Sequence, residues 1–209
     1  MEFDDVLAAR RMVRRYRPDP VPAETVEKIA ATIRKAPSAG FSQGHRLVVV
    51  TDRATRERVA ELAEESRYPE KWLSVAPVLM VIGVREDDYH DRYTRPDKLI
   101  DGKEIEWPAP YWWVDSGAFL MLIQLAAIDA GLATGFATVR RKDELKALLG
   151  IPGDVAVVGV ATIGHPREDA VAPSDTARLR SMRKPLGELV HHETWTAPQE
   201  NRADEKRAG

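Results

Sequence analysis

The chain has 209 residues, 44% of them hydrophobic, with 31 Lys and Arg against 33 Asp and Glu. That length fits one domain, the apolar content suffices for a packed core, and a net charge of −2 argues against a protein that coats nucleic acid or anionic membrane along its length. The absence of cysteine excludes disulfides, a thiol nucleophile and Cys-ligated zinc or iron–sulfur centres.

Met1 to Arg10 run acidic then basic, without the apolar core of a signal peptide, so a cytoplasmic location is expected. A short helix is predicted from Phe3 to Arg11. Three prolines make Tyr16 to Pro22 a loop. Pro22 then opens a helix through Lys35, at a position where its missing N–H costs least. Leu47 to Thr51 reads as a strand, Ala54 to Ser66 as a surface helix with Val59, Leu62 and Ala63 on one face, and Pro77 to Val84 as a buried strand.

Residues 85 to 113 break the pattern. They are charged, then rich in Pro, Trp and Tyr, and a long irregular stretch in a compact domain is usually functional or disordered. The next helix is expected to take Asp115 as N-cap and to end at Gly131. Its apolar run, Gly117 to Ile128, is too short for the roughly 20 residues of a bilayer span; it must be covered on every side by its own domain, a partner subunit or both. Strands are predicted over Ala133 to Val139 and Val155 to Ile163, with a helix over Lys142 to Leu149 between them. Beyond Pro173 the chain is polar and basic, apart from a short amphipathic piece at Leu186 to Val190. The whole reads as one domain of α+β or α/β class over residues 1–195, with a frayed tail at 196–209.

Four stretches carry possible chemistry. In Arg10, Arg11, Arg14, Arg15 and Arg17, positions 10 and 14 share a helical face. Two guanidinium forks there suit a phosphate monoester, and a solvated basic helix end fits the same spacing. Ala36 to Gly44, with Pro37, Ser38, Ala39, Phe41 and Gln43, is either an ordinary loop or a place where small residues bring backbone N–H groups close to a ligand. Gly131 to Val139, including Phe136, Ala137 and Thr138, is either a helix cap running into a strand or a close approach to a flat ligand. Arg183 stands in a basic segment. The motifs of Rossmann, Walker and serine-hydrolase sites are absent, and the histidines lack metal-ligand spacing, so no metal is expected.

In order, these pieces are Arg10-Arg11-Met12-Val13-Arg14-Arg15-Tyr16, Pro20-Val21-Pro22, Ala36-Pro37-Ser38 with Gln43, Gly131-Leu132-Ala133-Thr134-Gly135, Gly150-Ile151-Pro152, Ile163-Gly164-His165-Pro166, and Arg183-Lys184-Pro185-Leu186 with Val190-His191 and Trp195. Together they resemble the nitroreductase family of FMN-dependent oxidoreductases over Phe3 to Trp195. The resemblance implies an α+β fold, a three-layer α/β/α sandwich, forming an intertwined homodimer with two FMN sites at the subunit interface. It implies that Arg10, Arg11, Met12, Arg14 and Arg183 serve FMN, and that Pro37, Ser38, Ala39, Phe41 and Gln43 reach it from the partner. Phe136, Ala137 and Thr138 would line the isoalloxazine, with a backbone N–H near Thr138 facing the hydride-accepting nitrogen. Lys71 would stand at the pyrimidine edge, where a cation favours reduction.

The expected function is hydride transfer from NADH or NADPH through FMN to a small acceptor, nitroaromatic or quinone-like, in two alternating half-reactions. No nucleic acid or membrane partner is implied. The alternative is a protein of flavin or deazaflavin binding or biosynthesis on the same fold. Residues 85–113 are the expected lid over the substrate pocket, with Phe41, Trp107, Tyr111, Trp112 and Trp113 lining it; packing of these aromatics against the long helix or a partner is the competing reading. The loop Pro37-Ser38 to Gln43 resembles the dimethylbenzimidazole synthase branch. That branch has an aspartate at the place of Met12, and methionine supplies no carboxylate.

Overall fold

The computed structural model describes residues 1–170 and 173–195. They fall in two compact units, Met1–Ala170 and Val171–Gly209. The first is built on a four-stranded antiparallel sheet of order β1-β2-β4-β3, formed by β1 (His45–Val50), β2 (Val78–Arg85), β3 (Ala133–Ala137) and β4 (Val155–Gly164). β2 is buried from Val78 to Val84, as a central strand with both faces covered requires.

Alternation along the strands divides two apolar faces. Val78, Met80, Ile82, Ala161 and Ile163 pack with Phe119, Ile123 and Ala127 of α5 (Tyr111–Asp129) and with Val26 and Ile29 of α2 (Ala23–Ala30). Leu79, Val81 and Val160 alternate with these and face the other way, also buried; Val59 and Leu62 of α3 (Arg53–Leu62) and Leu145 of α6 (Lys142–Leu149) are buried too, and α3 and α6 contact each other. This is the expected three-layer α+β arrangement. α5 has the length and apolarity to cross a bilayer, yet Phe119, Ile123 and Ala127 are fully buried against the sheet, which makes it a core helix.

Several local expectations are corrected. α1 (Phe3–Ala9) stops before the arginines because Arg10 is extended, with ψ 118°. Arg10 and Arg14 therefore share no helical face. The helix after Pro22 tightens into a 3-10 turn at Ala31–Lys35, and the one after Asp52 ends at Leu62, short of Ser66, with Glu64 left-handed at φ 56°. Residues 85–113 contain a helix, α4 (Asp87–Tyr93). α5 begins at Tyr111 behind Pro110, so Asp115 lies inside the helix and does not cap it. In the second unit, α7 spans Pro173–Ser181 and a 3-10 turn spans Leu186–Glu188. The expected tail 196–209 lies outside the described residues.

Candidate functional site

After α1 the chain runs extended along the outer edge of β3. Met12 bridges Thr134 in parallel, and the Val13 N–H donates to the Thr134 carbonyl at 2.9 Å. This arm then crosses onto the sheet. Tyr16 bridges Pro166, and the Arg17 N–H donates to the His165 carbonyl at 2.9 Å. Gly135 permits the crossing, since a Cβ there would lie 2.4 Å from the Val13 carbonyl oxygen.

The five arginines of this arm separate by partner. Arg15 pairs with Glu70 at 3.1 Å and Asp169 at 3.7 Å, and Arg17 with Asp19 at 3.2 Å. Among the described residues Arg10, Arg11 and Arg14 have no carboxylate partner; Arg11 donates to the Ala9 carbonyl at 3.1 Å. The guanidinium carbon of Arg14 lies 5.4 Å from the Trp72 ring centroid and 5.9 Å from that of Tyr68, a cation–π arrangement.

Trp72 joins three segments. Its indole edge comes within 3.0 Å of the position a Gly135 Cβ would take, Arg14 lies over its face, and Lys71 precedes it. The indole is fully buried and its N–H has no partner among the described residues. Buried Glu65 fixes the segment. Its Oε1 accepts the N–H groups of Trp72, Leu73 and Ser74 at 2.6, 2.6 and 3.0 Å, and its Oε2 accepts the Ser74 hydroxyl at 2.5 Å. Lys71 is exposed and also lines a cleft of about 870 Å³ with Pro18, Arg53, Arg56, Glu57 and Tyr68. Arg10, Arg11, Arg14 and Thr138 are not part of that cleft.

β3 is an edge strand. The Thr134 carbonyl faces the arm, so the two-residue period turns the backbone groups of Phe136 to the same outer edge, beyond the arm's bridge, with exposed Thr138 next along the chain. Ala137 is buried and Phe136 packs on the α5 core.

The loop from Ala36 to Gly44 is tightly determined. Gly40, Phe41 and Gln43 all have positive φ, at 59°, 62° and 55°. For the two side-chain-bearing residues that conformation costs roughly 1–2 kcal/mol each, and such outliers persist where the surroundings impose them. Ser38 Oγ accepts the Gln43 N–H at 2.9 Å and the Ser42 hydroxyl donates to the Ala39 carbonyl at 2.6 Å. From outside the loop, Asp115 Oδ2 accepts both the Ala39 N–H and the Tyr89 hydroxyl at 2.9 Å. Burial, reinforced by Asp115, pushes the Tyr89 phenol far above its usual range. Pro37 and Gln43 are exposed, and Phe41 is 70% exposed.

The aromatics of 85–113 form one cluster. Trp107 meets Tyr93 at 4.5 Å between centroids, with Trp112 at 5.8 Å and Tyr111 at 6.1 Å. Glu104 orients it by accepting the indole N–H at 2.7 Å, and the same carboxylate oxygen meets His90 Nδ1 at 2.6 Å. Trp112 is 9% exposed and packs beneath with Tyr89, whereas Tyr111 and Trp113 are exposed at 38% and 43%.

The sequence singles out the arm, β3 and the 36–44 loop; the structure brings the arm and β3 together at Trp72, while Lys71, its neighbour in the chain, lines the separate cleft. Arg183 stands in the second unit, past α7, its N–H donating to the Arg180 carbonyl at 3.3 Å. Trp72, Glu65 and Asp115 were missed. An apolar Trp-Leu pair after Lys71 is a core signal, and an acid seven residues earlier has no periodic link to it.

A family model described as Nitroreductase family matches residues 7–165. The chain belongs to the nitroreductase family. It is accordingly an oxidoreductase. It is 27% identical to a NADH dehydrogenase of Thermus thermophilus over 181 residues, 77% of this chain and 84% of the relative. It is 29% identical to a 5,6-dimethylbenzimidazole synthase of Rhodospirillum rubrum over 182 residues, 82% and 85% of the two. Among solved nitroreductase folds, the NADPH:FMN oxidoreductase from Vibrio harveyi complexed with NAD+ superposes with a TM-score of 0.69 at 23% identity, covering 94% of this chain and 79% of that one.

Proposed function

We propose that the protein is an FMN-dependent NAD(P)H oxidoreductase that works as a homodimer in the cytoplasm. The observation that carries this reading is the division of the arginine arm. Arg15 and Arg17 are neutralised by acids, and among the described residues Arg10, Arg11 and Arg14 are left without one beside the outer edge of an edge strand. Cations kept free of protein carboxylates suit a phosphate monoester, which guanidinium binds through paired N–H groups. An edge strand with outward backbone groups suits the hydrogen-bonding rim of a planar heterocycle. The residues present therefore fit FMN.

Bound FMN supplies hydride acceptance from NADH or NADPH and hydride delivery to a small acceptor, in alternating half-reactions. The chain's own groups bind and orient. Arg10, Arg11 and Arg14 grip the phosphate and ribityl chain beside Met12, and the resemblance assigns Arg183 the same task. Phe136, Ala137 and Thr138 line the ring system, and a backbone N–H near Thr138 holds a hydrogen bond to it. Lys71 adds positive charge at the pyrimidine edge, which favours electron uptake there. Pro37, Ser38, Ala39, Phe41 and Gln43 close the site from the partner subunit. The exposed Phe41, Tyr111 and Trp113 shape the space for a nitroaromatic or quinone-like acceptor, with Trp107 against Tyr111 and Trp112 against Trp107.

Rapid mixing of FMN-loaded protein with NADH or NADPH tests the function. The expected result is bleaching of the flavin absorbance by one of them and recovery on adding a quinone, in two separable phases. Bound flavin that neither nucleotide bleaches overturns the reading and favours a flavin- or deazaflavin-handling protein.

A further inference from the structure

The strained loop at Phe41 is fastened to the 85–113 insertion at two points that no catalytic role accounts for. Arg92, on α4, donates its Nε–H to the Gly40 carbonyl at 2.9 Å, while its two terminal nitrogens hold the Asp97 carboxylate at 2.9 and 2.7 Å. One turn of chain holds the second point. The Tyr93 ring lies under Gly40, 2.7 Å from where a Cβ would stand. Gly40 is thus gripped by its carbonyl and by its α-carbon, and Phe41 is the next residue.

We propose that Arg92 is a positioning residue that couples the aromatic insertion to the 38–43 loop, so that the insertion sets where Phe41 stands and through it which acceptors the enzyme takes. A residue at positive φ relaxes when its restraints are removed. The loop's internal bonds, Ser38 to Gln43 and Ser42 to Ala39, shape it but do not fix it to the rest of the molecule. That attachment comes from Asp115 at Ala39, from Arg92 and Tyr93 at Gly40, and from Arg46, which donates to the Gln43 carbonyl at 3.1 Å and pairs with Asp88 of α4 at 2.6 Å; at Gly40, the residue before Phe41, it is Arg92 and Tyr93 that hold. Asp115 also serves the buried Tyr89, whereas Arg92 is partly buried, its side chain 21% exposed, and its partner Asp97 is 64% exposed. Asp97 holds the two outer guanidinium nitrogens, so Nε–H is presented to Gly40 in a fixed direction. Tyr93 in turn meets Trp107 edge to face. A ligand that displaces Trp107 therefore pulls on the element that holds Gly40.

The inference rests on the flavin-facing reading of the loop, but its first test does not. In hydrogen exchange without cofactor, Arg92→Ala should speed exchange of the Phe41, Ser42 and Gln43 amides about tenfold, the scale of one lost hydrogen bond to a charged donor. Amides of β2 should hold their rates, and Arg92→Lys should fall between. In FMN-loaded protein the same Arg92→Ala should raise KM for a quinone about tenfold and leave flavin reduction by the nucleotide unchanged. Unchanged loop exchange in Arg92→Ala overturns the proposal. So does faster exchange spread evenly over the chain, which marks a merely structural role. If the protein takes up no FMN, the function proposed above fails, and the exchange experiment alone decides the coupling.

Discussion

Gly135 has no room for a side chain, and the reason is the arginine arm. The Val13 carbonyl that crowds it is the end of a buried hydroxyl chain whose direction is fixed. Tyr16 has one proton and gives it to the Val13 carbonyl at 2.7 Å, since a carbonyl cannot donate. The Thr162 hydroxyl, 2.7 Å away, must then donate to Tyr16, and its oxygen accepts the Gly135 N–H at 3.0 Å. Burial pushes the Tyr16 phenol well above its usual range, so the chain keeps its protons at any ordinary pH. Tyr16→Phe leaves the Val13 carbonyl unsatisfied and should cost about 1–3 kcal/mol in a urea titration. Gly135→Ala should displace the arm and weaken FMN binding more than it lowers stability. A Gly135→Ala protein with unaltered FMN affinity would contradict the view that this crossing places the arginines. At this scale the sequence shows a cluster of five arginines and no more. Which of them are free depends on Asp19, Glu70 and Asp169, and two of those acids lie far along the chain.

The insertion shows how far an element can be read from its residues. Its helix α4 carries Asp87 and Asp88 in the first turn and His90 and Arg92 in the last, the charge order a helix dipole favours. That signal was present, but with so few apolar residues the segment has no amphipathic period to read. The sequence sets the cap of α5 five residues late because Tyr111, Trp112 and Trp113 look like the tail of a Pro-rich loop, whereas Pro110 marks the helix start. Asp115 then reads as a cap, and only the fold shows it turned inward to Ala39 and Tyr89. The insertion also has a defined pH window. Glu104 is held below its usual pKa by the Trp107 N–H and by His90, and His90 is held above its own by Glu104, with Glu86 adding to this. The stabilisation from His90 is complete below its ordinary pKa of about 6.5 and is lost as pH climbs through the raised value. That from Glu104 is present above its ordinary value and is lost as pH falls through the depressed one. Between these limits the Trp107 indole N–H resonance should stay fixed, and it should move on either side. A resonance indifferent to pH on both sides would contradict the pairing.

For the whole molecule, the sheet, its two helical layers and the family were legible, because motif order and buried strands are local properties. The partner surface was legible only as a requirement. α5 is apolar nearly all round, and its Trp113, Val114 and Met121 are 43%, 57% and 41% exposed, apolar surface of the kind an interface covers. The homodimer we propose supplies that cover and brings the Phe41 loop to the neighbouring site.

The central claim is that the arm's acid-free arginines hold the phosphate of a flavin mononucleotide. Equilibrium titration of the purified protein with FMN, repeated for Ala variants of the arm, tests it directly. The account predicts one FMN per protomer and a loss of affinity of about 10- to 100-fold for Arg10→Ala and Arg14→Ala, the scale of a charge-assisted hydrogen bond. Arg17→Ala should bind as the unaltered chain does. No uptake of FMN, or an equal loss at all three positions, would contradict it.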